Sequence, residues 1–212
     1  MLRVLLVDLD ETLYPPECGL LPAADRRISE FIARRLSLPF EEADALRRRL
    51  WIDYGTTARG LSVEYAIAPE DMCAEALEST DVGAYLRPAP ALAAELRSLG
   101  LRLVLFTNGT RTYALKVLAA LGLEGVFEEI LDIHFLAWEG KPSRAAFDRA
   151  LGYLGLDASE VALVDDNPPN LAVAREMGIL AIAVGPDPAA VGDLHLATIH
   201  ALAPELRRRG LL

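Results

Sequence analysis

The chain has 212 residues, 52% of them hydrophobic, and a formal net charge of −10 at pH 7. That length suits one large domain, or a core domain with a smaller insert. The charge argues against a nucleic-acid binder, which draws its affinity from a basic face, and no apolar run reaches the roughly 18 residues of a membrane helix.

The expectation is a soluble, cytoplasmic protein with no membrane and no nucleic-acid partner. The apolar start, VLLV, is too short for a signal h-region and runs into acids. Cys18 and Cys73 have no zinc-site spacing and read as packing residues; His134, His195 and His200 fall in no ligand pattern. There is no Gln, and there are only two Lys and three Asn. All three Asn (108, 167 and 170) and one of the Lys (141) fall in the motifs below.

Residues 2–8, LRVLLVD, read as a strand buried on both faces. Residues 20–83 look helical throughout. PAADRRISEFIARRLSL carries Ile28, Phe31, Ile32 and Leu36 at helical spacing. Helical patterns follow in EEADALRRRLWIDY and in PEDMCAEALEST, where Pro69 opens a helix. From about residue 88 strand and helix alternate. APALAAELRSLG is a helix, LRLVLFTN a strand, RTYALKVLAALG a helix and EEILDIHF a short strand. PSRAAFDRALGYLG is then a helix starting with a proline, EVALVDD a strand, PPNLAVAREMG a helix and ILAIAVG a strand. Such alternation predicts an α/β fold, a parallel sheet with helices on both faces.

In open α/β sheets, ligands bind outside the carboxyl ends of the strands. Three predicted strands end there in a polar residue: Asp8, Thr107 and Asp165. Asp10 lies two residues beyond Asp8, so the two side chains can face one way. Asp166 follows Asp165. Carboxylates crowded together repel, and a hard cation relieves this; Mg²⁺ suits an all-oxygen set, and the lack of His or Cys beside the acids argues against zinc. Thr107-Asn108-Gly109 offers a hydroxyl and a backbone N–H. Lys141 precedes Pro142 at the start of a helix, where anions are favoured, and Asn167 is placed to cap the helix opened by Pro168. Taken singly, Asp166 is a cap residue and Lys141 a surface lysine. Together they outline a site for a phosphoryl group.

DLDET, FTNG, GKP and VDDNPPN, in this order, resemble the four motifs of the haloacid dehalogenase (HAD) superfamily. The resemblance implies a Rossmann-like core (1–14 and 87–212) with an inserted helical cap (15–86). It also implies a phosphatase. Asp8 would be the nucleophile that forms an aspartyl-phosphate, and Asp10 the general acid and then base. Thr107, the Asn108 backbone and Lys141 would hold the phosphoryl oxygens. Asp8, the Asp10 carbonyl, Asp165 and, through a water, Asp166 would hold Mg²⁺, with Thr12 and Asn170 orienting these groups. Asp10 separates this chain from the dehalogenases, which lack an acid there. A phosphomutase carries both acids and stays an alternative. A phospho-accepting receiver also uses strand-end acids, a Thr and a Lys, but has no helical insert after its first strand.

Within the insert, WIDYGTTARGL (51–61) offers Tyr54 for stacking, Thr56 and Thr57 for hydrogen bonds and Arg59 for an anion. With DLDETLYP it resembles the pyrimidine 5′-nucleotidase branch. That resemblance implies a small phosphorylated substrate such as UMP or CMP, with substrate contacts at Tyr54 and Thr56. The alternative is a small sugar phosphate or phosphoglycolate.

Overall fold

The computed structural model describes residues 2–186 and 191–212. In chain order the strands are β1 (Val4–Val7), β2 (Arg102–Phe106), β3 (Glu129–Leu131), β4 (Val161–Asp165), β5 (Leu180–Val184) and β6 (Leu194–Leu196). All pair in parallel in one sheet of order β3-β2-β1-β4-β5-β6. The chain winds outward from β1 to β3, then returns to β4 on the other side of β1. The switch point therefore lies between β1 and β4, where such sheets open a crevice at their carboxyl ends.

The helices are α1 (Leu20–Leu36), α2 (Phe40–Tyr54), α3 (Thr57–Tyr65), α4 (Pro69–Met72), α5 (Val82–Tyr85), α6 (Pro90–Arg97), α7 (Arg111–Leu121), α8 (Arg144–Leu154), α9 (Pro168–Glu176) and α10 (Leu202–Arg208). Strand side chains alternate between faces, and both faces are covered. Leu5 and Val7 of β1 join a cluster with α6, α7 and α10, while Val4 and Leu6 join one with α8 and α9. All four β1 residues are fully buried. Each side chain of this kind adds about 1.5–3 kcal/mol.

Helices α1–α4 lie between β1 and β2 and close around a third cluster, which includes Phe31, Ile32, Leu50, Leu61 and Met72. The predicted helical stretch is thus a packing unit with its own core. Its entry and exit, Leu20, Val82 and Leu86, belong instead to the cluster on the sheet. After α4 the predicted helix widens into a π-helical turn, Cys73–Leu77.

Three local expectations are corrected. The helix expected to begin at Pro142 begins at Arg144, after a turn containing a cis Lys141–Pro142 peptide. Lys141 is therefore not at a helix N-terminus. Asn167 stands at the N-cap position of α9 but makes no side-chain cap bond. EEILDIHF is strand only over Glu129–Leu131, because the Asp132 carboxylate accepts from the N–H groups of Arg111 (2.8 Å) and Phe135 (2.9 Å) and turns the chain. Strand β6 and helix α10 were not foreseen; LHL is too short to show a period.

Candidate active site

The register sets the site. Val7 is paired with Val164, so Asp8 follows β1 beside Asp165, the last residue of β4. The Asp8 N–H continues the ladder to Val164 O at 2.9 Å. Thr107 follows β2 in the same way, its N–H bonded to Leu131 O at 3.1 Å. Oxygens of Asp8, Asp165 and Asp166 lie within 4.8 Å of one another. These are three of the four carboxylates expected to meet, Asp10 being the fourth, and an all-oxygen set this close fits a hard divalent cation.

Lys141 reaches into this cluster from the turn before α8. Its Nζ donates to Asp8 Oδ1 at 2.7 Å and to Asp165 Oδ2 at 2.6 Å. It is 2% exposed, and its ammonium lies 5.2 Å from the centre of the Phe106 ring. Burial opposes the charge, but Asp165 and Asp8 more than offset it and hold the ammonium above the usual lysine range. Burial pushes the Asp8 carboxyl well above its ordinary range; Lys141 opposes that rise, and Asp165, Asp166 and Asp10 add to it. Burial, then Asp165, raise Asp166 to about 7.

A ring of neutral groups fixes these side chains. Asn170 Nδ2 donates to both oxygens of Asp165, at 3.0 and 3.1 Å, and the Asn167 N–H donates to Oδ1 at 2.9 Å. Thr12 Oγ1 lies 3.4 Å from Asp166 Oδ1. Asn108 grips the Lys141 backbone twice at 2.8 Å, its Oδ1 accepting from the N–H and its Nδ2 donating to the C=O. Thr107 Oγ1 accepts from the Gly109 N–H at 2.9 Å. Asp10 lies outside the three-carboxylate cluster; its Oδ1 accepts from the hydroxyls of Tyr14 and Tyr113. Neither tyrosine was singled out from the sequence, since a phenol in an apolar run looks like core.

A cleft of about 680 Å³ opens over Asp8, Asp10, Thr107, Asn108, Lys141 and Asp166, and the insert supplies its opposite wall. Thr56 lines it while its Oγ1 accepts from the Arg59 N–H at 3.2 Å, capping α3. Tyr54 does not reach this cleft. It borders a neighbouring depression beside Lys141 and Pro142, and its hydroxyl donates to Glu64 at 3.0 Å. Arg59 pairs with Glu139 at 3.4 Å. Among the described residues no helix is long and apolar enough to cross a membrane.

A parallel sheet thus brings buried carboxylates and a lysine together at its switch point. The chain belongs to the haloacid dehalogenase-like hydrolases, whose family model matches residues 2–178. It is 25% identical over 195 residues to a glyceraldehyde 3-phosphate phosphatase of Methanocaldococcus jannaschii, covering 87% of this chain and 85% of that one. It is 36% identical over 103 residues to a phosphoglycolate phosphatase of Neisseria gonorrhoeae, covering 47% of this chain and 43% of the relative. The fold matches the HAD-hydrolase YfnB of Bacillus subtilis (TM-score 0.67, 17% identity, 97% and 99% coverage). It also matches a HAD phosphatase of Thermococcus onnurineus (TM-score 0.62, 19% identity, 97% and 98% coverage).

Proposed function

We propose that the protein is a Mg²⁺-dependent phosphatase that hydrolyses a small phosphate monoester through an aspartyl-phosphate on Asp8. The observation that carries this reading is Asp8 at the β1 tip, ion-paired to a buried lysine and packed against Asp165 and Asp166, with Asp10 two residues on. An Asp8 oxygen attacks phosphorus, and Asp10 gives its proton to the leaving oxygen. Asp10 then takes a proton from the water that cleaves the acyl phosphate, restoring Asp8. The Thr107 hydroxyl, the Asn108 N–H and the Lys141 ammonium hold the phosphoryl oxygens. Asp8, Asp165, Asp166 and the Asp10 carbonyl would hold the Mg²⁺, whose charge neutralises the carboxylates against an incoming phosphate dianion. The YfnB structure was solved with magnesium. Asp10 favours phosphate chemistry over dehalogenation. Release of free phosphate rather than an isomer separates a phosphatase from a mutase.

The insert, about residues 15–86, acts as a cap that selects the leaving group and excludes water. The substrate we infer is a pyrimidine nucleoside monophosphate. The cleft is wide for a two- or three-carbon phosphate, and the cap lines it with Leu21, Ile28, Trp51 and Met72. Its cations are engaged: Arg47 with Asp25 (2.9 Å) and Asp44 (3.2 Å), Arg48 with Asp44, and Lys141 with Asp8 and Asp165. That favours a leaving group without a second negative charge. A small sugar phosphate or phosphoglycolate is the second reading, favoured by the names of the two relatives.

The test measures phosphate released from UMP, CMP, glyceraldehyde 3-phosphate and phosphoglycolate, with Mg²⁺ and with EDTA. It is repeated on Trp51→Ala and Thr56→Ala, two cap residues that line the cleft. Nucleotides should lead in kcat/KM, EDTA should abolish turnover, and the variants should alter the ranking. Sugar phosphates in the lead, or a ranking both variants leave untouched, would remove the nucleotide reading.

A further inference from the structure

Asp10 is held by two phenols from different parts of the fold. Tyr14 lies in the turn after β1, and Tyr113 in the first turn of α7. Tyr113 Oη donates to Asp10 Oδ1 at 2.9 Å, and Tyr14 Oη donates to the same oxygen. The rings are 0% and 3% exposed respectively. Neither lines the cleft, whereas Asp10 does. The tyrosines therefore touch the acid but not the space where substrate sits.

We propose that Tyr14 and Tyr113 form a clamp that positions Asp10 for proton transfer to the leaving group, an inference that rests on the phosphatase reading above. Oδ1 carries both phenol bonds, so a proton on the neutral carboxyl resides on Oδ2. Two anchors converging on one oxygen also fix the side-chain rotamer, so Oδ2 is presented in one direction. When Oδ2 gives its proton to the departing oxygen, the P–O bond electrons become the new O–H and Asp10 becomes a carboxylate. The two O–H donors stabilise that charge as it forms, since hydrogen bonds to an ionised acceptor are the stronger kind. The clamp thus acts more on the transition state than on bound substrate. Both tyrosines are positioning residues, working through Asp10.

A buried tyrosine with a purely structural role would affect all substrates alike. A clamp on a general acid would not. The acid matters most where the leaving oxygen is a poor one, as in an alkyl ester, and least where it is stable unprotonated, as in p-nitrophenolate. The value of kcat/KM reports the step in which the leaving group departs. Tyr14→Phe and Tyr113→Phe each delete one hydroxyl and keep the ring, so the core stays filled. Each is assayed on p-nitrophenyl phosphate and on the best alkyl ester of the panel above, with inorganic phosphate as a competitive probe of ground-state binding.

For each variant kcat/KM should fall about tenfold further on the alkyl ester than on the aryl ester, about one decade of the 10²–10⁴ that general acids contribute. Inhibition by inorganic phosphate should stay unchanged. Equal losses on both esters, or no loss on either, would overturn the clamp while leaving the phosphatase reading in place. A wild-type protein that releases phosphate from neither ester would overturn that reading and this inference with it.

Discussion

Asp8 sits between an ammonium at 2.7 Å and two further carboxylates, and this surrounding decides what each substitution does. Asp8→Asn keeps the size of the side chain but removes the proposed nucleophile; turnover of p-nitrophenyl phosphate should fall below a few per cent of wild type with the circular dichroism spectrum unchanged. A variant that kept substantial activity would disqualify Asp8. Lys141→Met leaves Asp8 and Asp165 buried with no counter-charge. In EDTA it should lose about 3–5 kcal/mol in urea unfolding, the usual cost of stranding one half of a buried pair, and Mg²⁺ should return part of it. Its kcat should drop by about 10²–10³, as for loss of one strong oxyanion donor.

At the scale of elements, the turn before α8 delivers Lys141, and Asn108 after β2 pins that turn. The two are packed so closely that a Cβ on Gly140 would lie 2.5 Å from Asn108 Oδ1 and 3.0 Å from Ile133. Gly140→Ala should break both 2.8 Å bonds to Lys141, cost about 1–3 kcal/mol in thermal unfolding and lower kcat, although residue 140 carries no reactive group. A similar contact joins α2 to α3, where a Cβ on Gly60 would meet Leu50 at 2.7 Å. Gly60→Ala should destabilise by about 1–3 kcal/mol through overpacking. Unchanged melting temperatures in both variants would show that these contacts yield more easily than their packing implies.

Over the whole molecule, the buried acids couple stability to pH. Asp8, Asp10 and Asp166 all have folded-state pKa values above the unfolded value of 3.8, and that of Asp166 is about 7. Between those limits the folded state holds more protons than the unfolded one, so stability falls as pH rises. In EDTA the melting temperature should rise when pH is lowered from 8 toward 6. Saturating Mg²⁺ should flatten this trend, because a bound cation takes over the neutralising role of the protons. A melting temperature that falls over the same range in EDTA would contradict this account of the buried cluster.

The β1 strand, the alternation after residue 88, the helical insert and the acids at the strand ends were all legible in the chain. Each depends on local pattern: a run buried on two faces, a period, a polar residue at a strand end. Asp8, Thr107 and Asp165 could be assigned to one edge because parallel strands all end there. Other features depended on neighbours remote in sequence. Lys141 reads locally as the residue before a helix, yet its role comes from carboxylates 133 and 24 residues away. Tyr14 and Tyr113 read as core aromatics until the fold brings both hydroxyls to Asp10. Tyr54 looked like a substrate contact, but α3 brings Glu64 to its hydroxyl and it borders a second depression. Periodicity determines which face of an element is buried. Only the packed structure decides which distant polar atoms meet there, because a buried hydroxyl, amide or ammonium must find its partner across the chain.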